Sequence, residues 1–226
     1  MALGVIKHNI NGSDYVGVFA TSTDRYAIAW DGLPERERKM ISESLGVECI
    51  ATQLAGSNLV GILARGNSNG LLLSNMASDS EVERIAKSGI DIKVGRLMSD
   101  LNTVGNNIIV NDKIAIVNPD YSRKEMDEIS EILGVDAVGM EFGGFKTVGA
   151  NNILTNKGMV INNRSTEREE ERARELTGFE IVRTTANTGG LNIGLAAFGN
   201  SFGALIGEST TGFESARIIE GLGIDF

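Results

Sequence analysis

Two side chains in the sequence could support thiol–imidazole chemistry: the only cysteine, Cys49, and the only histidine, His8. A cysteine nucleophile needs a base within hydrogen-bond reach. Cys49 stands between Glu48 and Ile50 in a predicted strand, which is a position typical of a small buried apolar residue. His8 lies at the end of another predicted strand. One cysteine excludes an internal disulfide and fits a reducing compartment, and one cysteine with one histidine cannot form a zinc site of usual spacing.

Two other segments carry residues that can bind ligands. The glycine-rich segment 189–194 faintly resembles a phosphate loop, but it leads into a predicted hairpin and lacks the lysine of that motif. The charged run 167–172 predicts the solvated face of a helix. Asp24 and Asp112 fall in predicted turns, where aspartate is ordinary. We therefore expect no catalytic residue, no metal site and no cofactor.

Composition narrows the class of protein further. The 226 residues are 42% hydrophobic and 5% aromatic, so an aliphatic core is expected. The net charge of −9 would repel a nucleic acid backbone and would suit a basic partner, unless it serves solubility alone. The N-terminal residues lack a signal peptide pattern, and no apolar run approaches the ~20 residues of a membrane span. We expect a cytoplasmic protein with no membrane and no free nucleic acid as partner.

Internal repeats set the architecture. An aliphatic–glycine pair recurs with glycine spacings of 44, 44, 44 and 45 residues. These pairs are Val16-Gly17, Val60-Gly61, Val104-Gly105, Val148-Gly149 and Ile193-Gly194. A second set of glycines recurs in phase with the first: Gly46, Gly89, Gly134, Gly178 and Gly223. The two marks predict one domain, 1–226, with five repeats at about 15–58, 59–102, 103–146, 147–191, and 192–226 joined by 1–8.

Each repeat has the same internal plan. Two short apolar runs separated by Asn, Asp and Gly predict a β-hairpin that begins at the aliphatic–glycine pair. A helix follows the hairpin in each repeat. Ser122–Glu125 matches a capping box, and Pro34 suits the first turn of the first helix. The glycine of the second recurring set is expected to end the helix as its C-terminal cap. A third strand ends the unit. The fifth unit lacks that strand, and the segment Ala2–Lys7 is expected to supply it. This predicts an α/β fold, a closed ring of five ββαβ units with pseudo-fivefold symmetry.

A five-unit ββαβ ring is the architecture of the pentein fold, and within it the sequence resembles the translation initiation factor six family. The resemblance is carried by Gly66–Asn75 (GNSNGLLLSN) and by Leu101–Asp120, which includes Gly105-Asn106 and Pro119-Asp120. Similarity in plan and spacing runs along the whole chain. The chain ends at Phe226, as expected for the shorter archaeal form of the family.

The resemblance implies a monomeric, non-enzymatic translation initiation or ribosome assembly factor. It implies binding to the intersubunit face of the large ribosomal subunit, at a ribosomal protein of the L14 class near the sarcin-ricin loop, which sterically prevents association with the small subunit. Asn106 matches an asparagine that contacts the ribosomal protein, and Ile62 stands where eukaryotic members have arginine. The residues expected at the binding face are Gly61, Ile62, Gly105, Asn106, Asn107, Ala150, Asn151 and Leu195.

Two other functions stay open. Other penteins are enzymes that act on guanidino compounds with a cysteine, a histidine and paired carboxylates, but they carry the cysteine near the C-terminus, where this chain has none. The second is a protein-interaction scaffold without ribosomal specificity. The predicted hairpin tips carry Arg25, Lys113 and Lys157 at equivalent positions. We interpret these as exposed turn residues; the alternative is a local basic ring that lies beside ribosomal RNA.

Overall fold

The computed structural model describes residues 4–224, and this part of the chain contains fifteen strands and nine helices. The strands are β1 (Val5–His8), β2 (Ala20–Ser22), β3 (Tyr26–Trp30), β4 (Glu48–Thr52), β5 (Ala64–Gly66), β6 (Gly70–Ser74), β7 (Lys93–Leu97), β8 (Ile108–Val110), β9 (Ile114–Val117), β10 (Asp136–Gly139), β11 (Ile153–Leu154), β12 (Met159–Asn162), β13 (Ile181–Thr184), β14 (Ala197–Gly199) and β15 (Ala204–Gly207). The helices are α1 (Glu35–Leu45), α2 (Val60–Leu63), α3 (Asp79–Ala86), α4 (Val104–Asn107), α5 (Arg123–Leu133), α6 (Val148–Asn151), α7 (Glu167–Thr177), α8 (Ile193–Ala196) and α9 (Gly212–Leu222).

The strands form five three-stranded sheets, one in each predicted repeat. In the first sheet, β2 and β3 form an antiparallel hairpin, and the chain returns through α1 so that β4 pairs in parallel with β3. The same order recurs in the sheets β5-β6-β7, β8-β9-β10 and β11-β12-β13. The predicted α/β class and the ββαβ plan of the repeats are therefore confirmed.

The fifth sheet combines the two ends of the described chain. Strands β14 and β15 form its hairpin, and β1 pairs in parallel with β15, with Val5 opposite Ala204 and Ile6 opposite Leu205. This confirms, for Val5–His8, that an N-terminal strand completes the fifth unit. Residues 1–3 and 225–226, which include the first two residues of the predicted strand, lie outside the described residues.

The five long helices begin and end largely as the sequence indicates. In α5, the Ser122 hydroxyl accepts a hydrogen bond from the Glu125 N–H, and the Glu125 carboxylate accepts one from the Ser122 N–H at 2.7 Å. The same capping box begins α3, α7 and α9. Gly134 ends α5 in the left-handed region at φ 67°, and Gly46, Gly178 and Gly223 end their helices in the same way.

Two helix ends differ from the prediction. Pro34 is the N-cap residue of α1 and precedes its first turn. Helix α3 ends at Ala86, before Gly89, which has a φ of 90° but does not cap the helix. The physical reason is local, since the Ser88 hydroxyl donates to the Ile85 carbonyl at 2.7 Å and competes with a further helical turn.

Five hydrophobic clusters join each unit to the one before it. In one cluster, Ile28 of β3 packs with Leu71 of β6 and Ile85 of α3. In another, Leu205 of β15 packs with Ile41 of α1, so the fifth unit contacts the first. Each buried side chain of this size contributes roughly 1.5–3 kcal/mol. A single unit leaves its apolar face open, so the core exists only where consecutive units meet.

The aliphatic–glycine pairs do not begin strands, which corrects the prediction. They lie on single helical turns that precede the hairpins: the 3-10 turn Val16–Val18 and the helices α2, α4, α6 and α8. We call these the glycine turns. A Cβ atom at each glycine would overlap a backbone carbonyl of the preceding turn, and for Gly17 that carbonyl belongs to Gly194. Glycine is required because the five turns approach one another through their backbones.

Candidate binding face

The five glycine turns place their outward residues at one end of the molecule. The backbones of successive turns touch in order, and the turn of Gly194 touches that of Gly17. Residues at equivalent positions of the turns therefore share a surface. We call this surface the glycine-turn face and define it by the residue after each glycine and the residue before each aliphatic–glycine pair. The first set is Val18, Ile62, Asn106, Ala150 and Leu195, and the second is Tyr15, Leu59, Thr103, Thr147 and Asn192.

The structure brings together some of the expected site residues at this face. Ile62, Asn106 and Leu195 are half-buried and reach the surface. Ala150 is buried, with 7% of its surface exposed, and contributes little area. Gly61 and Gly105 are buried beneath the turns, where they permit the close backbone contacts.

Asn107 and Asn151 use their amides inside the protein. The Asn107 side chain donates to the Thr103 carbonyl at 3.0 Å and accepts from the Asn118 amide at 2.8 Å. Asn151 donates to the Asn192 side chain at 2.9 Å. Both residues are almost fully buried. Their hydrogen bonds hold the glycine turns in place, so these two asparagines support the face from below.

Asn106 has a different environment. Its backbone N–H donates to the Thr103 carbonyl at 2.9 Å, which completes the turn. Its side chain is half-buried, and the amide oxygen has no hydrogen-bond partner among the described residues. That oxygen is itself buried, so a partner would be bound by the amide nitrogen, which can donate to a backbone carbonyl. Of the asparagines on the turns, Asn106 is therefore the one suited to direct recognition.

The sequence prediction missed two apolar residues of the face. Tyr15 is 40% exposed and Leu59 is 37% exposed, and each directly precedes an aliphatic–glycine pair. Together with Val18, Ile62 and Leu195 they form an apolar area on the first, second and fifth units, whereas Thr103, Asn106 and Thr147 make the remaining sector polar. The sequence pattern could have predicted both residues, because the position before each aliphatic–glycine pair recurs with the same period of about 44 residues.

One exposed ion pair borders the polar sector. The Lys146 ammonium lies 2.7 Å from the Asp120 carboxylate and directly precedes Thr147. Hydrogen bonding to Asp120 and its charge raise the pKa of Lys146 above the usual value for lysine. Both side chains are solvated, so the pair adds little stability but presents both signs of charge at the rim of the face.

Cys49 and His8 lie on different sheets. Cys49 sits on β4 opposite Ala27 and packs against the hydrophobic cluster between the fifth and first units. Burial raises the pKa of the Cys49 thiol to about 11, so the thiol is protonated at neutral pH and is a weak nucleophile. His8 sits on β1, and its Nε2 lies 3.9 Å from a carboxylate oxygen of Glu37. Within residues 4–224, no three acidic, cysteine or histidine side chains are grouped to hold a metal ion.

The hairpin tips lie at the other end of the hairpins from the glycine turns. Arg25, Lys113 and Lys157 are exposed there, as interpreted from the sequence. The equivalent residues of the other two units are Asn69 and Phe202. Asp24 and Asp112 lie beside the three basic residues, and their carboxylates accept hydrogen bonds from the Asn156 amide at 2.8 Å each. The tips therefore carry mixed charge.

A search of the helices in the described residues finds none with the length and apolarity needed to cross a membrane.

The model of the eIF-6 family matches residues 5–221, so this chain belongs to that family. The chain is similar over nearly its whole length to proteins named translation initiation factor 6. The relative from Halorubrum lacusprofundi is 47% identical over 219 residues, covering 97% of this chain and 99% of the relative. The relative from Thermococcus kodakarensis is 44% identical over 221 residues, covering 95% and 96%. The relative from Pyrococcus horikoshii is 37% identical over 219 residues, covering 95% and 96%. The chain is accordingly a translation initiation factor by family.

Proposed function

We propose that this protein binds the intersubunit face of the large ribosomal subunit through its glycine-turn face and prevents association with the small subunit by occupying the space between them. The observation that carries the proposal is the apolar area of Tyr15, Val18, Leu59, Ile62 and Leu195 in a chain of a translation initiation factor family. An apolar centre with a polar rim is typical of a protein–protein interface.

The proposed partner at this face is a ribosomal protein of the L14 class, next to the sarcin-ricin loop. The net charge of −9 favours approach to a basic partner and disfavours extended contact with RNA. Asn106, at the border of the apolar area, supplies the directional hydrogen bond. Steric exclusion needs no covalent chemistry, and we propose that the protein acts as a monomer without a cofactor.

The overall architecture proposed for this role is a pentein-type closed ring with pseudo-fivefold symmetry. The contacts between successive units, including those between Leu205 and the first unit, support closure. The equivalent backbone contacts of the five glycine turns support the symmetry. In such a ring the glycine-turn face is flat and surrounds the axis, which suits docking on a broad surface.

Co-sedimentation with purified large and small subunits through a sucrose gradient tests the proposal. We expect migration with the large subunit alone and fewer joined ribosomes when the small subunit is added. Ile62→Asp should weaken binding about 100-fold, because it places a charge in the apolar centre, and Asn106→Ala should weaken binding about tenfold. Phe202→Asp is the matched control, since Phe202 is 39% exposed at the β14–β15 hairpin tip, at the other end of the hairpins from the glycine turns.

Parent protein that sediments with neither subunit would contradict the proposed function. Binding that survives Ile62→Asp but is lost after reversal of Arg25, Lys113 and Lys157 would move the interface to the hairpin tips. Activity of the parent protein on a guanidino compound would revive the enzymatic alternative. Circular dichroism of each variant distinguishes lost binding from lost folding.

A further inference from the structure

Two exposed methionines depart from the repeat pattern of the five units. The positions equivalent to Met98 recur every 44 residues, and the other four hold apolar side chains that are fully buried: Ile10, Leu54, Phe142 and Ala186. Met98 is 68% exposed instead. Since the fold buries an apolar residue at this position in four places, the exposure of Met98 has a local cause.

The backbone beside Met98 supplies that cause. Each of the four buried equivalents pairs with a residue three or four positions later across a tight turn. At Met98 the Ser99 N–H donates instead to the Leu97 carbonyl at 3.1 Å, so Met98 is the central residue of a γ-turn. The Ser99 hydroxyl accepts from the Leu101 N–H at 3.0 Å. A hydrogen-bonded loop thus presents Met98 to solvent.

Met76 lies beside Met98. Met76 comes two residues after β6 and Met98 directly after β7, and these parallel strands end side by side. The Asn75 side chain donates to the Ser99 carbonyl at 2.9 Å and joins the two loops. Met76 is 53% exposed, and its equivalents in the other units carry no large apolar side chain. Those equivalents are Gly32, Asp120, Arg164 and Ser209. We call Met76 and Met98 the methionine patch.

The methionine patch lies at the same end of its sheet as the glycine turns. Strand β5 begins directly after the glycine turn α2 and pairs antiparallel with β6, so the end of β6 is next to the start of β5. The first strands of successive units contact one another, whereas β7 is the strand farthest from β5 in its sheet. The loop after Met98 leads to Thr103 of the glycine-turn face. The patch therefore extends this face outwards on one side of the molecule.

Exposed aspartates border the methionine patch. Asp79 lies in the first turn of α3, and its charge is offset by Arg96 at 2.5 Å. Asp100 is exposed in the loop after β7 and forms no ion pair within residues 4–224. One negative charge is therefore left without a partner at the edge of the patch.

A further carboxylate lies against the Met98 loop. Hydrogen bonds with the Ser122 and Ser99 side chains lower the pKa of Glu125, so its carboxylate is ionised at neutral pH. The border of the patch thus carries an excess of negative charge. This charge suits a positively charged partner and opposes the phosphate backbone of RNA.

Resting on the function proposed above, we propose that the methionine patch binds a basic amphipathic segment of a protein of the large ribosomal subunit. Methionine side chains are flexible and polarisable, so they adapt to the apolar face of such a segment. Its lysine or arginine side chains pair with Asp100 and Glu125 at the border. The patch also orients the protein, because five similar glycine turns offer five similar orientations and an off-centre contact on one unit selects one of them.

Co-sedimentation of purified large subunits with the double variant Met76→Ser/Met98→Ser tests the patch. We expect binding about tenfold weaker than that of the parent, because two apolar contacts are lost. Phe202→Ser is the matched control, since Phe202 is 39% exposed at the β14–β15 tip, at the other end of the hairpins. Equal binding of the parent and the double variant would overturn the patch and leave the proposed function standing. Parent protein that does not bind would overturn both.

Charge reversal in the same assay identifies the class of partner. Asp100→Lys should weaken binding about tenfold, and the loss should shrink as salt is added, because the new charge repels a basic segment. Asp136→Lys is the control, since it makes the same change of net charge at an exposed position at the start of β10, and it should have little effect. Tighter binding of Asp100→Lys would indicate RNA at this place and overturn the proposal, and so would unchanged binding.

Discussion

The Glu214 carboxylate connects the start of α9 to the loop that precedes the fifth glycine turn. It accepts hydrogen bonds from the Thr211 N–H at 2.8 Å, the Gly189 N–H at 2.7 Å and the Thr185 hydroxyl at 2.6 Å. Burial alone would raise the pKa of Glu214, but these hydrogen bonds outweigh burial and lower the pKa to about 2. The ionised form is therefore the one that stabilises the fold.

The same arrangement recurs in other units. Glu81 accepts from the Ala55 and Gly56 N–H groups, and Glu169 accepts from the Gly143 N–H. Three of the five units thus use a capping-box glutamate to fix the loop leading to a glycine turn. The backbone of each of these loops has positive φ angles, which leave N–H groups pointing at the carboxylate.

We predict that Glu214→Gln lowers the free energy of unfolding at pH 7 by roughly 2 kcal/mol, because an amide cannot accept all of these hydrogen bonds. A carboxyl whose pKa is depressed in the folded state contributes its stability above its unfolded pKa. That contribution is lost as the pH falls from about 5 towards 2. Urea unfolding at pH 7, 5 and 3 should therefore show the difference between parent and variant shrinking with acid.

Glu167→Gln is the matched control for this prediction, since Glu167 is exposed in the first turn of α7. It should change stability by less than about 0.5 kcal/mol at each pH. A difference between parent and Glu214→Gln that stays constant from pH 7 to pH 3 would contradict the assigned role of the charge.

At the scale of the secondary-structure elements, buried asparagines at the hairpin tips connect the hairpins and helices of neighbouring units. The Asn67 amide donates to the Asn111 carbonyl of the next hairpin at 3.0 Å and to the Leu133 carbonyl at the end of α5 at 2.9 Å. The Asn200 amide likewise donates to the Thr23 carbonyl at 2.9 Å and to the Leu45 carbonyl at the end of α1. Each side chain thereby satisfies a helix C-terminal carbonyl and fixes the distance between two hairpins.

We predict that Asn67→Ala lowers the free energy of unfolding by about 3 kcal/mol. It leaves the Asn111 carbonyl unpaired and leaves the Leu133 carbonyl with only a long hydrogen bond from the Asn69 amide, at 3.5 Å. The oxygen of Asn67 also accepts from the Gly70 N–H at 3.0 Å, which loses its partner as well. Urea unfolding measures the change. Asn163→Ala, at an exposed position after β12, should have almost no effect, and equal losses in the two variants would refute the role of Asn67.

The elements differ in how far the sequence predicts them. The hairpins, long helices and capping boxes follow from local signals, such as the Asn, Asp and Gly residues between apolar runs and the capping box Ser122–Glu125, and the structure agrees. The glycine turns have only three or four residues, so they show no helical period, and the need for glycine arises from a neighbouring unit. Burial of Asn107 likewise depends on Asn118, which no local pattern of the turn reveals. The 44-residue repeat period alone was enough to predict that Ile62, Asn106 and Leu195 share a surface.

At the scale of the whole molecule, strands from the two ends of the described chain lie in one sheet. Gly46 ends α1, and β4 begins two residues later at Glu48. In the fifth unit, Gly223 ends α9, and the next strand is β1, whose residues pair with β15 as β4 pairs with β3. By this equivalence β1 takes in the fifth unit the place that β4 takes in the first, although β1 and α9 lie far apart in the sequence.

A circular permutant tests whether β1 completes the fifth unit. We predict that fusing Phe226 to Met1 and opening the chain between Ile90 and Asp91, in the link between α3 and β7, gives a folded protein with stability within about 1 kcal/mol of the parent, because every strand pairing is retained. Deleting residues 1–8 should instead cost at least about 3 kcal/mol, since it removes Val5 and Ile6 from β1 and leaves β15 as an open edge. Urea unfolding and circular dichroism compare the two variants. If the permutant failed to fold while the deletion variant stayed as stable as the parent, β1 would not be the strand that completes the fifth unit.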